Sequence, residues 1–210
     1  MPRPFVTLSY AQSLDGSLAA VPGQPLALSG PESMTYTHQL RAAHDAILVG
    51  IGTVLADDPR LTVRLAPGPQ PQPVVLDSRL RFPLDASLLR HPRPPWIAAT
   101  GRADPARQAA LEAAGAQVVR LPTDDAGRVH LPALLDTLRD AGIKTLMVEG
   151  GSAVITSFLS ARLADRLALT LAPRMLGGLR AVAAPCDLRL QNVTYRTLGI
   201  DLIVEADVVS

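Results

Sequence analysis

The sequence predicts an α/β protein with one mixed, mostly parallel sheet, helices on both faces and an antiparallel C-terminal hairpin. Three observations carry that expectation. Short apolar strands alternate with helical segments from residue 5 to residue 160, the pattern of a parallel sheet whose crossovers are helices. Two of those strands end in glycines, Gly50/Gly52 and Gly150/Gly151. The closing segments, 166–171 and 195–209, have no helix between them, and the second bends back on itself at Gly199-Ile200-Asp201, as a hairpin does.

Residues 5–11 form the first strand, whose weak alternation marks burial on both sides. Leu14-Asp15-Gly16 is the turn signal behind it, and residues 22–25 are loop. Ser29, with Pro31 two positions on and Glu32 at the third, reads as a capping box opening a helix that runs to about His44. A short buried strand at 46–49 ends in Gly50-Ile51-Gly52-Thr53. The turn Ala56-Asp57-Asp58-Pro59 and an extended stretch at 61–64 follow, then a surface loop at 67–73. Apolar strands at 74–76, 96–99 and 117–121 come next, with a helix at 105–114 closed by Gly115. An amphipathic helix at 131–141, closed by Gly142, precedes the strand at 144–148, and a last helix spans 153–160. No repeat, low-complexity tract or linker interrupts the 210 residues, so residues 1–210 are expected to be one domain.

Composition narrows the function. Hydrophobic residues at 48% and charged residues at 19% argue against disorder. No apolar run approaches the roughly 20 residues that span a bilayer, and the first residues lack the apolar stretch of a signal peptide, so a cytoplasmic protein is expected. A net charge of +1 with scattered arginines lacks the field that collects nucleic acid. The single Cys186 excludes an internal disulfide and any Cys-x-x-Cys site. His38, His44, His91 and His130 lack the one-turn pairing of a helical zinc site, so no metal is expected. A zinc deaminase lacks its cysteines here, and no Gly-x-Ser-x-Gly elbow supports nucleophilic hydrolysis.

What remains is chemistry at strand ends. In open α/β sheets ligands bind at the carboxyl ends of strands, so a nucleotide spanning Gly50/Gly52 and Gly150/Gly151 is one reading. The other is that these glycines only close turns, since neither pair completes the dinucleotide fingerprint. At the second pair the strand opens directly into a helix, whose free N–H groups would favour a pyrophosphate, and Glu149 places a carboxylate at the same edge. In Asp57-Asp58-Pro59, Asp58 fixes the bend and Asp57 is the candidate for chemistry. Arg41 or Arg64 can grip a phosphate through paired hydrogen bonds, or each can be a solvated surface group. Asp77-Ser78-Arg79 and Thr100-Gly101-Arg102 follow strands and suit a ribose 2′-phosphate, although Asp77 fits a free 2′-hydroxyl equally well.

Read in order, Ser13-Leu14-Asp15-Gly16, Leu40-Arg41-Ala42, the run from Ala46 through Gly50-Ile51-Gly52-Thr53-Val54-Leu55-Ala56-Asp57-Asp58-Pro59 to Arg64, Val75-Leu76-Asp77-Ser78, Val148-Glu149-Gly150-Gly151 and Ala172-Pro173-Arg174-Met175-Leu176-Gly177-Gly178 resemble the pyrimidine reductases of riboflavin biosynthesis. The resemblance covers nearly the whole chain and is to the stand-alone form, without a deaminase portion. It implies a dihydrofolate reductase-like fold, NADPH as hydride donor and a homodimer. The implied reaction converts the ribosylamino group of a phosphorylated pyrimidine to a ribitylamino chain. Carried over by motif, Ala11, Thr53 and Asp57 contact the coenzyme near its nicotinamide, Gly150, Gly151, Ser152, Ala153 and Val154 hold its pyrophosphate, and Ser78 and Thr100 its adenosine end. Arg41, Leu61, Arg64 and Glu149 line the substrate. Hydride transfer also needs one proton, which Asp57 or Glu149 could supply, with positioning the favoured role of both. Two positions depart from the bacterial pattern, Ser9 for a lysine and about Ala27 for an aromatic. Rival expectations are a reductase of the same fold acting on dihydrofolate or a pterin, and a non-catalytic nucleotide-binding protein.

Overall fold

The computed structural model describes residues 3–24 and 26–209. Pro25 of the expected 22–25 loop, and residues 1, 2 and 210 of the expected 1–210 domain, lie outside the described residues. In chain order the elements are β1 (Phe5–Ser13), β2 (Ser17–Ala19), α1 (Pro31–Ala42), β3 (Ala46–Gly50), α2 (Ile51–Asp57), β4 (Gln72–Leu76), β5 (Trp96–Thr100), α3 (Pro105–Ala113), β6 (Gln117–Leu121), α4 (Leu131–Asp140), β7 (Thr145–Val148), α5 (Ser152–Ser160), β8 (Arg166–Ala172), β9 (Leu179–Arg180), β10 (Arg189–Leu198) and β11 (Asp201–Val209). The sheet runs β10-β11-β8-β1-β7-β3-β4-β5-β6. Every neighbour pair from β8 to β6 is parallel, and β11 and β10 close the other edge antiparallel. This is the mixed sheet with a C-terminal hairpin that the alternation implied.

Side chains alternate across a strand, so each central strand feeds two cores. Leu48, Val74 and Ala98 face one side with Leu134, Leu135 and Leu138 of α4 and Ile155 and Phe158 of α5. Ile47, Val49, Val75 and Ile97 face the other with Val54 of α2 and Leu111 of α3. Helices therefore cover both faces, and a fully buried Phe82 or Phe158 contributes about 1.5–3 kcal/mol. At the hairpin edge α1 is held by Tyr36, whose hydroxyl donates to Glu205 at 2.7 Å and whose ring lies under the Arg196 guanidinium.

Four local features differ from the sequence reading. Gly30, not Ser29, is the N-cap of α1, because Pro31 takes the first helical position and Asp201 supplies the outside acceptor for the Gly30 N–H at 2.7 Å. Residues 51–57, expected as a strand end and turn, form the short helix α2, stopped by Asp58 in the left-handed region at φ 39°. β2 and β9 pair as a separate two-stranded sheet. The last hairpin begins at Arg189, earlier than expected, because β10 is exposed along almost its whole length and shows no apolar alternation.

Candidate active site

The two glycine-bearing strand ends are neighbours. β7 lies between β1 and β3, and the Gly50 N–H donates to the Gly150 carbonyl at 3.4 Å while the Glu149 N–H donates to the Leu48 carbonyl at 2.9 Å. Gly150 and Gly151 have φ of 107° and 86°, a region that side chains strongly disfavour. Gly50 is glycine for a different reason, since a Cβ there would come within 2.7 Å of Val154 in α5. These turns open a cleft of about 1530 Å3 along the carboxyl ends of the parallel strands.

Ala11, Thr53, Asp57, Ser78, Glu149, Gly150, Gly151, Ser152, Ala153 and Val154 all line this cleft. Helix α5 starts there with Gly151 as its N-cap and no side-chain cap; the Val154 and Ile155 N–H groups donate to the Gly151 carbonyl, which leaves those of Ser152 and Ala153 to a ligand. Thr100 stands one layer back. It is buried, and its hydroxyl donates to the Ser78 carbonyl at 2.9 Å, so it supports the strand end without reaching the cleft wall. Asp77 also turns inward, fully buried and accepting from the Phe82 N–H at 2.8 Å; burial pushes its carboxyl up. Ser78, Arg79, Arg81 and Arg128, the last paired with Asp124 at 3.2 Å, are among the groups that end presents to a ligand.

Arg41, Leu61 and Arg64 are brought together outside the cleft wall. The Arg41 guanidinium donates through Nε and Nη2 to the two carboxylate oxygens of Glu149 at 2.5 and 2.6 Å, and through Nη1 to the Thr62 carbonyl at 3.1 Å. Both side chains are nearly buried, at 10% and 12% exposure. Burial works against the charge on Arg41, but Glu149 outweighs it and the guanidinium pKa is raised. Leu61 packs into the core at φ 52°, and Arg64 is exposed, with Nη1 on the Thr62 hydroxyl at 3.0 Å. Asp57 lies on the wall at the end of α2, and desolvation raises its carboxyl above the usual range. Asp58 instead accepts both the N–H and the hydroxyl of Ser87, which hold it below that range. Ser9 is buried, and neither it nor Ala27 lines the cleft.

Sequence reasoning missed His38. It is fully buried, and its Nδ1 accepts the Arg64 N–H at 2.9 Å, tying α1 to the stretch that carries Leu61 and Arg64. Burial first, then Arg41 and Arg64, depress its pKa from 6.5 to about 4. The neutral ring therefore stabilises the fold fully above pH 6.5, and that contribution is lost as pH falls from 6.5 towards 4. The thermal midpoint is expected to drop across this window more steeply for the parent than for His38→Asn, which keeps an acceptor but does not titrate. Parallel slopes would remove His38 as the cause.

Among the described residues, no group of three or more His, Cys, Asp or Glu side chains could hold a metal ion, and no helix is long and apolar enough to cross a membrane.

The fold is an α/β architecture of the dihydrofolate reductase kind. A dihydrofolate reductase from Enterococcus faecalis shares it at TM-score 0.56 and 14% identity over 98% of this chain and 97% of that one. Within that class the chain belongs to the RibD C-terminal domain family, whose model matches residues 4–204. It is 41% identical to the 2,5-diamino-6-ribosylamino-4(3H)-pyrimidinone 5′-phosphate reductase of Methanothermobacter thermautotrophicus over 97% of both chains. It is 39% identical to the Archaeoglobus fulgidus reductase of the same name, covering 88% of this chain and 87% of that one. The structure of the riboflavin biosynthesis reductase Rib7 of Saccharomyces cerevisiae superposes at TM-score 0.81 and 31% identity, over 100% of this chain and 91% of that one.

Proposed function

We propose that this protein is a cytoplasmic, NADPH-dependent reductase that converts the ribosylamino group of a phosphorylated (di)aminopyrimidine to the ribitylamino form. The observation that carries this reading is that Asp57 and Glu149 share one cleft with the uncapped start of α5. The archaeal and yeast relatives, matched along most of their length, point to the same substrate class. NADPH supplies a hydride when bound. Gly150, Gly151 and the first N–H groups of α5 would hold its pyrophosphate, and Thr53 its nicotinamide end. Asp77 is withdrawn from the surface, which leaves Ser78 and the adjoining guanidiniums to favour the phosphorylated coenzyme.

Opening the ribose to an imine and delivering hydride to the former anomeric carbon requires one proton and exclusion of water. Glu149, with both oxygens accepting from Arg41, is an acceptor that orients the polar pyrimidine. We assign the proton donor to Asp57, the second carboxyl on the cleft wall; the residue is exposed there, and desolvation shifts its pKa upward. Arg41, committed to Glu149 and the Thr62 carbonyl, holds that acceptor in place, and the exposed Arg64 is the guanidinium free to turn towards the 5′-phosphate. Activity is tested by NADPH and NADH oxidation with the amino and diamino phosphoribosylamino-pyrimidines and with dihydrofolate. Turnover with a pyrimidine and preference for NADPH are expected, and turnover with dihydrofolate alone would replace this reading by its rival. We assign a homodimer through β10, an exposed edge strand bearing Leu190, Val193 and Tyr195; a monomeric mass in sedimentation would contradict it.

A further inference from the structure

The small sheet of β2 and β9 forms part of the cleft wall through Leu18, Ala19 and Leu179. Leu18, Ala19, Leu26, Leu179, Ala183 and Ala184 give this roof an apolar inner surface. Two strands of three and two residues have almost no stability of their own. Something else must hold them.

Asp15 does so. Its Oδ1 accepts the Ser13 hydroxyl at 2.6 Å and the Leu176 N–H at 2.9 Å, and its Oδ2 accepts the Ser17 hydroxyl at 2.7 Å and the Gly177 N–H at 2.8 Å. The carboxylate thus joins the end of β1, the start of β2 and the loop that enters β9. The serines are themselves fully buried, and the Ser17 hydroxyl accepts the Gly178 N–H at 3.1 Å. Arg180 donates to the Asp15 carbonyl, and Leu14 and Ala181 complete the seam with backbone bonds to Arg174 and Gly16. The contact at Gly178 is so close that a Cβ would run into the carbonyl oxygens of Ala19 and Ala20. At its far end the roof is tied to α5, where the Ala183 N–H donates to the Thr156 hydroxyl at 2.9 Å. The four donors hold the Asp15 carboxyl well below the usual range, so it stays ionised at any working pH.

We propose that Asp15 is a positioning residue for the reduction, fixing the β2–β9 roof at the height that closes the cleft over coenzyme and substrate and keeps water from the reacting carbon. This rests on the proposed NADPH-dependent function. Asp15 touches neither ligand; it acts through Leu18, Ala19 and Leu179, which it anchors. Displacing such a wall by about 1 Å is enough to spoil a hydride-transfer geometry.

The test is Asp15→Asn in the full chain. The amide presents an N–H pair where an oxygen now accepts a backbone N–H, so at least one of Leu176 and Gly177 loses its acceptor. We expect kcat with the pyrimidine to fall about tenfold or more and NADPH affinity, read by coenzyme fluorescence, to weaken about tenfold. Faster amide hydrogen exchange should be confined to residues 14–20 and 174–181, with the thermal midpoint nearly unchanged. If Asp15→Asn does not fold, Ser17→Ala, which removes the hydroxyl between Asp15 and Gly178, should show the same changes at about threefold size. Kinetics and affinity within about twofold of the parent, or faster exchange spreading through β1 and β8, would overturn the proposal. A parent chain that binds NADPH but reduces no pyrimidine would end the proposed function while leaving the affinity and exchange arms to decide the roof. A parent that binds no NADPH would sink both.

Discussion

Replacing Arg41 by alanine is expected to destabilise the protein by about 3–5 kcal/mol and to abolish measurable reduction. The size follows from burial. Arg41 and Glu149 are 10% and 12% exposed and joined at both carboxylate oxygens, so deleting the guanidinium leaves a mostly buried carboxylate without its partner. For a chain of this length the midpoint should fall by roughly 10 °C. Arg41→Met combined with Glu149→Leu separates the two roles of the pair. Matched apolar side chains should restore most of the stability, because a buried ion pair and a packed hydrophobic pair are often nearly equivalent, yet the double variant should remain inactive. Calorimetry with steady-state kinetics on both variants checks this. Recovery of activity along with stability would show that the pair only supports the fold.

Asp57→Asn should lower kcat by a factor of about 10²–10⁴ while changing the NADPH KM little. Asparagine keeps the shape of the cleft wall but cannot give up a proton. As the assigned donor, Asp57 is active in its protonated form, so parent activity should fall as pH rises through its raised pKa. The variant should lose this limb of the profile. An unchanged kcat, or a limb that survives the substitution, would hand the proton to another group or to solvent.

Much of the site was legible because it is written in backbone. Gly50, Gly150 and Gly151 announce themselves as residues that must be small or left-handed, and the apolar runs before them place them at strand ends. That the two ends touch was beyond local reasoning, since Gly50 and Gly150 meet only through the position of β7 in the sheet. The Arg41–Glu149 pair has the same origin. Arg41 alone reads as a surface charge or a phosphate ligand and Glu149 as a carboxylate at the edge of an anion site, and only packing of α1 against the end of β7 reveals that each is the other's partner. Helix α2 escaped notice because Ile51, Gly52, Thr53 and Val54 are poor helix formers that extend the look of the preceding strand. The roof was invisible because its strands are shorter than any periodicity can register, although its anchor, Ser13-Leu14-Asp15-Gly16, stood out as a motif.

The place of β7 between β1 and β3 also says something about how the molecule comes into being. Until synthesis passes Val148, the strands that will flank it, both rich in apolar side chains, have a vacant slot between them and unpaired backbone edges. Half-made chains are therefore the vulnerable species, sticky at the centre of the sheet rather than at its rim. The same late insertion that heals those edges brings Gly150 against Gly50 and Glu149 against Arg41. A ribosome-bound chain can thus build much of its core before the two glycine-bearing strand ends meet, and it still has α5, β8 and the closing hairpin to add once β7 is in place.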